Sequence, residues 1–206
     1  MKQTFAVALL AALPVLANYK AEPAGAPPSE LDPAIAGALE ATGTKVLTSD
    51  GKTLCEIWWR KDVPKGTPSN ETDMMWKTTP MFSVVGAVRY PEEAADRRGQ
   101  KIKAGVYTLR FALFPINGDH QGVSPNRDFL VLAPAAEDKS IEPVAKYDDL
   151  MKLSRKVSGT PHPAVLSMWV VESDFTAGMQ ELGEDQVLFA KVGGTPIGVI
   201  LVGTAE

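Results

Sequence analysis

The segment from Ile116 to Asp128 concentrates the side chains of this sequence that are best able to do chemistry. It has the sequence INGDHQGVSPNRD, with a carboxylate and an imidazole side by side. Carboxylate and imidazole together bind metal ions or act as acid and base. Loops mounted on a rigid scaffold are the usual place for ligand contacts, and the glycines and Pro125 allow a tight backbone here. We therefore predict ligand-binding residues in this loop, namely Asn117, Asp119, His120, Arg127 and Asp128.

A metal site would need help from elsewhere in the chain, because catalytic sites use about three protein ligands and structural sites about four. The sequence has only two histidines, and His162 lies in the stiff segment Thr160-Pro-His-Pro163. If that segment meets the loop, His120, His162, Asp119 and Asp128 would bind a divalent metal, the one cofactor these residues could hold. The alternative is structural: Asn117 and Asp119 stabilise turns, Arg127 pairs with an acid, and the histidines cap strand ends. The shortage of ligands favours this alternative.

A second candidate for ligand binding is Trp58. Strand alternation places Cys55, Ile57 and Trp59 on one face and Trp58 on the other, beside Glu56 and Arg60. An exposed tryptophan next to charged groups is a stacking platform for a sugar or another flat ligand. The alternative is that Trp58 covers the sheet edge or packs under the long 61–81 loop.

These candidates must be positioned by a β-rich scaffold. Period-two alternation and turn residues predict eight strands, at 44–48, 52–60, 82–90, 106–114, 128–133, 164–172, 186–192 and 196–203. Gly193-Gly194 predicts a two-residue hairpin in which Val192 closes on Thr195 and Phe189 faces Gly198. Apolar spacing predicts helices at about 32–41 and 147–157. We predict a mainly β fold, an antiparallel β-sandwich of Ig-like or jelly-roll-like form with one or two short helices.

The first residues are typical of an export signal. Lys2 precedes an apolar run from Phe5 to Leu16, which Asn18 and Lys20 end. The run is shorter than the roughly 20 residues that a membrane span needs. We predict a signal peptide at 1–17, a flexible tether at 18–30 and a single sandwich domain at 31–206. The mature protein would then be periplasmic or extracellular, without a stable membrane span.

Charge and motifs exclude several function classes. The net charge of −4 gives no electrostatic footprint for nucleic acid. The single cysteine, Cys55, cannot form an internal disulfide. Nucleophile-elbow, zinc-protease and phosphate-cradling motifs are absent from the sequence, so no enzyme class is indicated.

One hairpin resembles a known family. The residues FSVVGAVR from Phe82 and KAGVYTLR from Lys103 to Arg110 are similar to those of exported bacterial β-sandwich proteins of unknown function. The A-G-x-Y-T-L pattern also resembles transthyretin-like and carboxypeptidase-regulatory-like sandwich domains. The resemblance implies a sandwich fold and no catalytic residues.

The leading functional hypothesis is therefore an exported non-catalytic binding or accessory protein. Its partner would be a small molecule, a glycan or an envelope protein, contacted by the loop and by Trp58. Two alternatives stay open: a metal-assisted hydrolase or oxidoreductase that uses His120, His162 and nearby carboxylates, and a structural envelope component.

Overall fold

The structure, a computed structural model, describes residues 19–116, 127–172 and 174–205. In chain order, the elements of these segments are β1 (Lys20–Pro23), α1 (Pro33–Ala38), β2 (Thr44–Leu47), β3 (Thr53–Trp59), β4 (Val84–Tyr90), β5 (Ala94–Ala95), β6 (Lys101–Ile102), β7 (Gly105–Leu113), β8 (Asp128–Pro134), α2 (Tyr147–Ser158), β9 (Val165–Val170), β10 (Gly178–Leu182), β11 (Asp185–Val192) and β12 (Thr195–Val202).

Ten strands form one antiparallel sheet, in the order β1-β2-β3-β4-β7-β8-β9-β12-β11-β10, and β5 pairs with β6. The sheet curves until its edge strands β1 and β10 come into contact. Near one end the Gly193 N–H also donates to the Arg60 carbonyl at 3.0 Å. The mainly β fold with two short helices is thus confirmed, as a large antiparallel sheet that nearly closes into a barrel. Two separate sheets packed as a sandwich are not shown.

Alternation along the strands gives the sheet a buried inner face and a covered outer face. In β7, Tyr107, Leu109 and Phe111 belong to the large inner core, while Ala112 belongs to a separate outer cluster. The outer face is not solvated because α2 packs on β8 there. A second outer cluster lies under α1, whose Ile35 is fully buried. Neither helix, nor any other in the described segments, is long and apolar enough to cross a membrane.

Both ends of the curved sheet are covered by the chain itself. At the end where β7 finishes, Trp76 from the 61–81 loop packs edge-on against Phe111, with ring centroids 5.5 Å apart. Met74 of the same loop joins the inner core. At the other end, Ile102 of β6 enters the core. Side chains from the strands and from the two end segments therefore fill the interior of the curved sheet.

The hairpin between β11 and β12 has the predicted register. Gly193 and Gly194 have φ values of 54° and 85°, which suit the tight turn, and Val192 pairs with Thr195. Phe189 faces Gly198 as predicted. The ring that covers Gly198 is nevertheless that of Trp169, because a Cβ at Gly198 would lie 2.6 Å from Trp169 Cζ2.

The flexible tether predicted for 18–30 is corrected by the structure. Lys20–Pro23 pairs along β2 as the edge strand of the sheet. Beyond it, the Gly25 carbonyl accepts the Trp58 indole N–H at 2.8 Å and the Gly43 N–H at 3.2 Å. The Pro- and Ala-rich composition suggested a tether, but the backbone groups of this segment satisfy an open sheet edge and a buried indole. The predicted signal peptide, 1–17, lies outside the described residues.

Arg110 is the central polar group of the outer face. Its side chain is fully buried, and Nε and Nη2 each lie 2.7 Å from an oxygen of the buried Asp138 carboxylate. Its remaining donors bond to three backbone carbonyls, those of Phe82, Ser140 and Glu142. All five N–H donors of the guanidinium are therefore used. The hydrogen bonds of Arg110 thus hold two segments against β7, the 135–146 connection and Phe82 just before β4.

Replacing Arg110 with methionine should lower the free energy of unfolding by about 3–5 kcal/mol, since it leaves Asp138 buried without its partner. Urea denaturation followed by tryptophan fluorescence measures this loss. The matched control is Arg89→Met, which removes an exposed arginine paired with Glu56 and should cost less than about 1 kcal/mol. Similar losses in the two variants would contradict the central role of Arg110.

Candidate functional site

The predicted loop is only partly within the described residues. Asn117, Asp119 and His120 lie outside them, so their assignment to a ligand site stays a prediction. Arg127 and Asp128 are described, and both hold the 61–81 loop against the end of the sheet. Their environment favours the structural interpretation for these two residues.

Asp128 is fully buried at the start of β8. Its carboxylate accepts the backbone N–H groups of Met75 at 3.1 Å and Trp76 at 3.0 Å. Burial raises the pKa of Asp128 to about 6, and the two backbone N–H groups partly oppose that rise. The carboxylate therefore anchors the loop segment that places Trp76 in the core.

Arg127 makes the neighbouring contacts to the same loop. Its Nε donates to the Phe114 carbonyl at 2.9 Å, and its Nη1 donates to the Thr72 carbonyl and reaches the Glu71 carboxylate at 3.3 Å. The predicted pairing of Arg127 with an acid is thus present, and the acid is Glu71. Three donors of this guanidinium are used within the protein.

His162 lies at the opposite end of the β8–β9 ladder from Asp128. Phe129 pairs with Ser167 and Val131 with Val165, so His162 comes opposite the last residue of β8. That position is about six residues from Asp128, or roughly 20 Å along the strand. Because metal–ligand bonds are about 2 Å long, one ion cannot bind both side chains. A single metal centre that uses both Asp128 and His162 is therefore wrong, and a centre of His120, His162 and Asp119 stays a prediction.

The described residues also hold no other group of three or more His, Cys, Asp or Glu side chains that could bind a metal. The His162 side chain is exposed, and its backbone closes the turn after α2: the Thr160 hydroxyl accepts from the His162 N–H at 3.1 Å. A site formed by His120 and Asp119 with other partners stays a prediction.

The prediction that Trp58 is an exposed stacking platform is wrong. It points to the outer face, as the alternation predicts, but only 1% of its side-chain surface is exposed. Leu31 and Ile35 cover it from the α1 side, and its indole N–H is bonded to Gly25. The alternative of a packed tryptophan is therefore correct, although the cover comes from residues 24–39 and not from the 61–81 loop.

The structure instead shows a cavity where the two ends of the sheet meet. β10 pairs with β11 only as far as Phe189, opposite Gly178, and β1 ends at Pro23. Between these points the wall opens into a cleft of about 450 Å³. We call it the seam cleft; it is lined by Ala21–Pro23, Glu40, 42–44, Trp59, Ala177, Gly178 and Leu188–Lys191.

Trp59 lies at the inner side of the seam cleft and is 5% exposed. It pairs with Gly86 across β3 and β4, and a Cβ at Gly86 would lie 2.9 Å from Trp59 Cε3. The benzene edge of the indole therefore rests on Gly86. Nε1 is on the other long edge of the ring, so it faces away from Gly86. This buried donor has no hydrogen-bond partner among the described residues.

A smaller cavity of about 330 Å³ lies at the β5–β6 end, between 94–99 and 201–205. Its charged groups are engaged with one another. Arg97 Nε lies 2.9 Å from Asp185 Oδ1, and Arg98 Nη2 lies 2.7 Å from Asp96 Oδ2. Each cavity has in its lining a residue with one buried donor that lacks a partner among the described residues, Arg98 Nε here and Trp59 Nε1 at the seam. We take the seam cleft as the candidate site because it is the larger of the two and its walls include an indole and apolar side chains.

The sequence signal for this site is partial. Alternation correctly places Trp59 on the inner face with Cys55 and Ile57. The cleft itself depends on β1 and β10, which the sequence pattern does not predict.

Comparison of this chain with protein-family models, with curated proteins and with solved structures finds no match.

The anchoring role of Asp128 predicts a specific pH dependence. The pKa of about 6 lies above the ordinary value of 3.8, so the folded protein binds this proton more tightly than the unfolded chain. Its contribution to stability is therefore fully present below about pH 4 and is lost as the pH rises to about 6. The free energy of unfolding of the wild type, minus that of Asp128→Asn, should fall over this range and then level off.

Urea denaturation at a series of pH values measures that difference. Asp149→Asn, at an exposed position on α2, controls for the loss of one carboxylate. A difference between wild type and Asp128→Asn that rises from pH 4 to pH 6 would contradict the effect of burial on this group.

Proposed function

We propose that this protein is an exported, non-catalytic binding protein that holds a small ligand in the seam cleft. The observation that carries the proposal is the cleft itself, an opening of about 450 Å³ between the edge strands β1 and β10 of the sheet. Cavities of roughly 300–1,000 Å³ with apolar walls and few polar groups are typical of small-molecule sites.

The chemistry of the lining supports binding in preference to catalysis. None of the described residues that line the cleft is a histidine, cysteine or serine. The carboxylate of Glu22 lies 3.5 Å from Lys45 at the rim. Elsewhere, the buried charged groups Arg110, Asp138 and Asp128 are hydrogen-bonded within the protein. Those groups stabilise the scaffold and do not face the cleft.

Export and kinship are parts of this proposal that rest on the sequence. The Lys2–Leu16 pattern supports a signal peptide and a periplasmic or extracellular location. The Lys103–Arg110 hairpin supports kinship with exported bacterial β-sandwich proteins of unknown function. A curved sheet whose two halves face one core is compatible with the sandwich that this kinship implies.

Binding of the neutral fluorescent dye Nile red tests the proposal. The dye should bind saturably at one site per chain. Its fluorescence reports an apolar environment and therefore measures this binding. Ala190→Leu, at a position 8% exposed on the cleft wall, should weaken binding by about tenfold, which is about 1.4 kcal/mol. Thr42→Trp, at an exposed position on the rim, should weaken it similarly without disturbing the core.

The matched control is Ala104→Leu, the same substitution at an exposed position between β6 and β7. It should bind Nile red as the wild type does. Circular dichroism and thermal unfolding of each variant confirm that the fold is intact. Unchanged affinity in both folded cleft variants would show that the seam cleft is not the site.

A further inference from the structure

We infer that the seam cleft selects a neutral ligand with an apolar body and one hydrogen-bond acceptor, which takes the Trp59 indole N–H. This inference rests on the proposed function and deepens it. The observations behind it are the unpartnered Nε1, the composition of the inner walls and the position of the charged side chains.

The indole N–H requires an acceptor. It is a donor only, and a buried donor without a partner is rare in folded proteins because it has lost its bond to water. Of the other buried donors, the Trp58 indole is bonded to a carbonyl oxygen and the Arg110 guanidinium to carbonyl and carboxylate oxygens. Trp59 Nε1 is unpartnered in the described residues, and Trp59 lines the seam cleft. An oxygen of the ligand would supply the missing acceptor.

The inner walls require that the rest of the ligand be apolar. Leu188 and Ala190 belong to the inner core beside Trp59 and also line the cleft. Neither side chain can hydrogen-bond. A polar group placed against them would lose water without replacement, so apolar carbon atoms are favoured at this depth.

The charged side chains of the cleft lie at its rim and not beside Trp59. Glu22 is close to Lys45, and the Lys191 ammonium lies 5.5 Å from the centre of the Phe175 ring. Glu40 and Lys191 are exposed to solvent. A charged ligand group would therefore reach the inner wall without a counter-ion, which disfavours carboxylates and ammonium groups beside Trp59.

Three fragments of nearly equal size separate these requirements. Acetophenone carries a carbonyl oxygen, α-methylstyrene has a CH2 group in place of that oxygen, and benzoate is charged. ¹H–¹⁵N NMR of the labelled protein follows two signals: the Trp59 indole N–H, identified by its loss in Trp59→Phe, and the Ala190 backbone amide. The first reports the hydrogen bond, and the second reports occupancy of the cleft.

We expect acetophenone to shift both signals saturably and to bind about tenfold more tightly than α-methylstyrene, with benzoate weaker than acetophenone. In Trp59→Phe the preference for acetophenone over α-methylstyrene, read from Ala190, should fall to about twofold or less. Trp76→Phe is the matched control, because Trp76 packs against Phe111 and does not line the cleft. That variant should keep the full preference.

The outcomes separate this inference from the proposed function. Equal binding of acetophenone and α-methylstyrene in the wild type, or tighter binding of benzoate, would overturn the ligand class while the cleft remains a binding site. A preference that persists in Trp59→Phe would overturn the role of Trp59. No shift of Ala190 with any fragment or with Nile red would overturn the proposed function as well.

Discussion

The buried Arg110–Asp138 pair is the interaction on which the outer half of the structure depends. A guanidinium with all five donors bonded joins β7 to Phe82 and to residues 138–142. Removing any one of these acceptors would leave a buried charge partly unsatisfied, which is more costly than the loss of an ordinary hydrogen bond. The pair therefore holds the connections that lead to α2 and into β4 in one arrangement.

The start of β4 is irregular at two places. Phe82, whose carbonyl accepts from Arg110, lies two residues before β4 and has a φ of 67°. The β4–β7 register then shifts between Val84 and Gly86. Gly86 pairs with Trp59 across β3 and β4 and lies under its indole, where any larger residue would collide with the ring.

The sequence predicts the strands that have strong local patterns. It misses the strands that form only because they pair with the open edge of an adjacent strand. β7 alternates along its whole length, and the double-glycine turn determines the register of β11 and β12. By contrast, β1 has the sequence KAEP and β10 has GMQEL. Neither alternates strongly, and each is a strand because an adjacent strand has an unsatisfied edge. The seam cleft lies between these two strands, so local pattern cannot indicate it.

The roles of the side chains divide in the same way, into those set by local pattern and those set by distant segments. Alternation gives the correct face for Trp58 and Trp59, but the cover over Trp58 and the unpaired edge beside Trp59 come from distant segments. Arg127 and Asp128 look like ligand residues because charged groups are concentrated there. In the fold, the 61–81 loop uses them as anchors, a contact made across more than fifty residues of sequence.

We infer that the ligand supplies the acceptor that the Trp59 indole N–H, buried in the lining of the seam cleft, lacks among the described residues. A crystal structure of the protein soaked with acetophenone tests it most directly. We expect the fragment in the seam cleft, with its carbonyl oxygen about 3 Å from Trp59 Nε1. An indole N–H already bonded to another group of the protein, with the cleft closed, would contradict it.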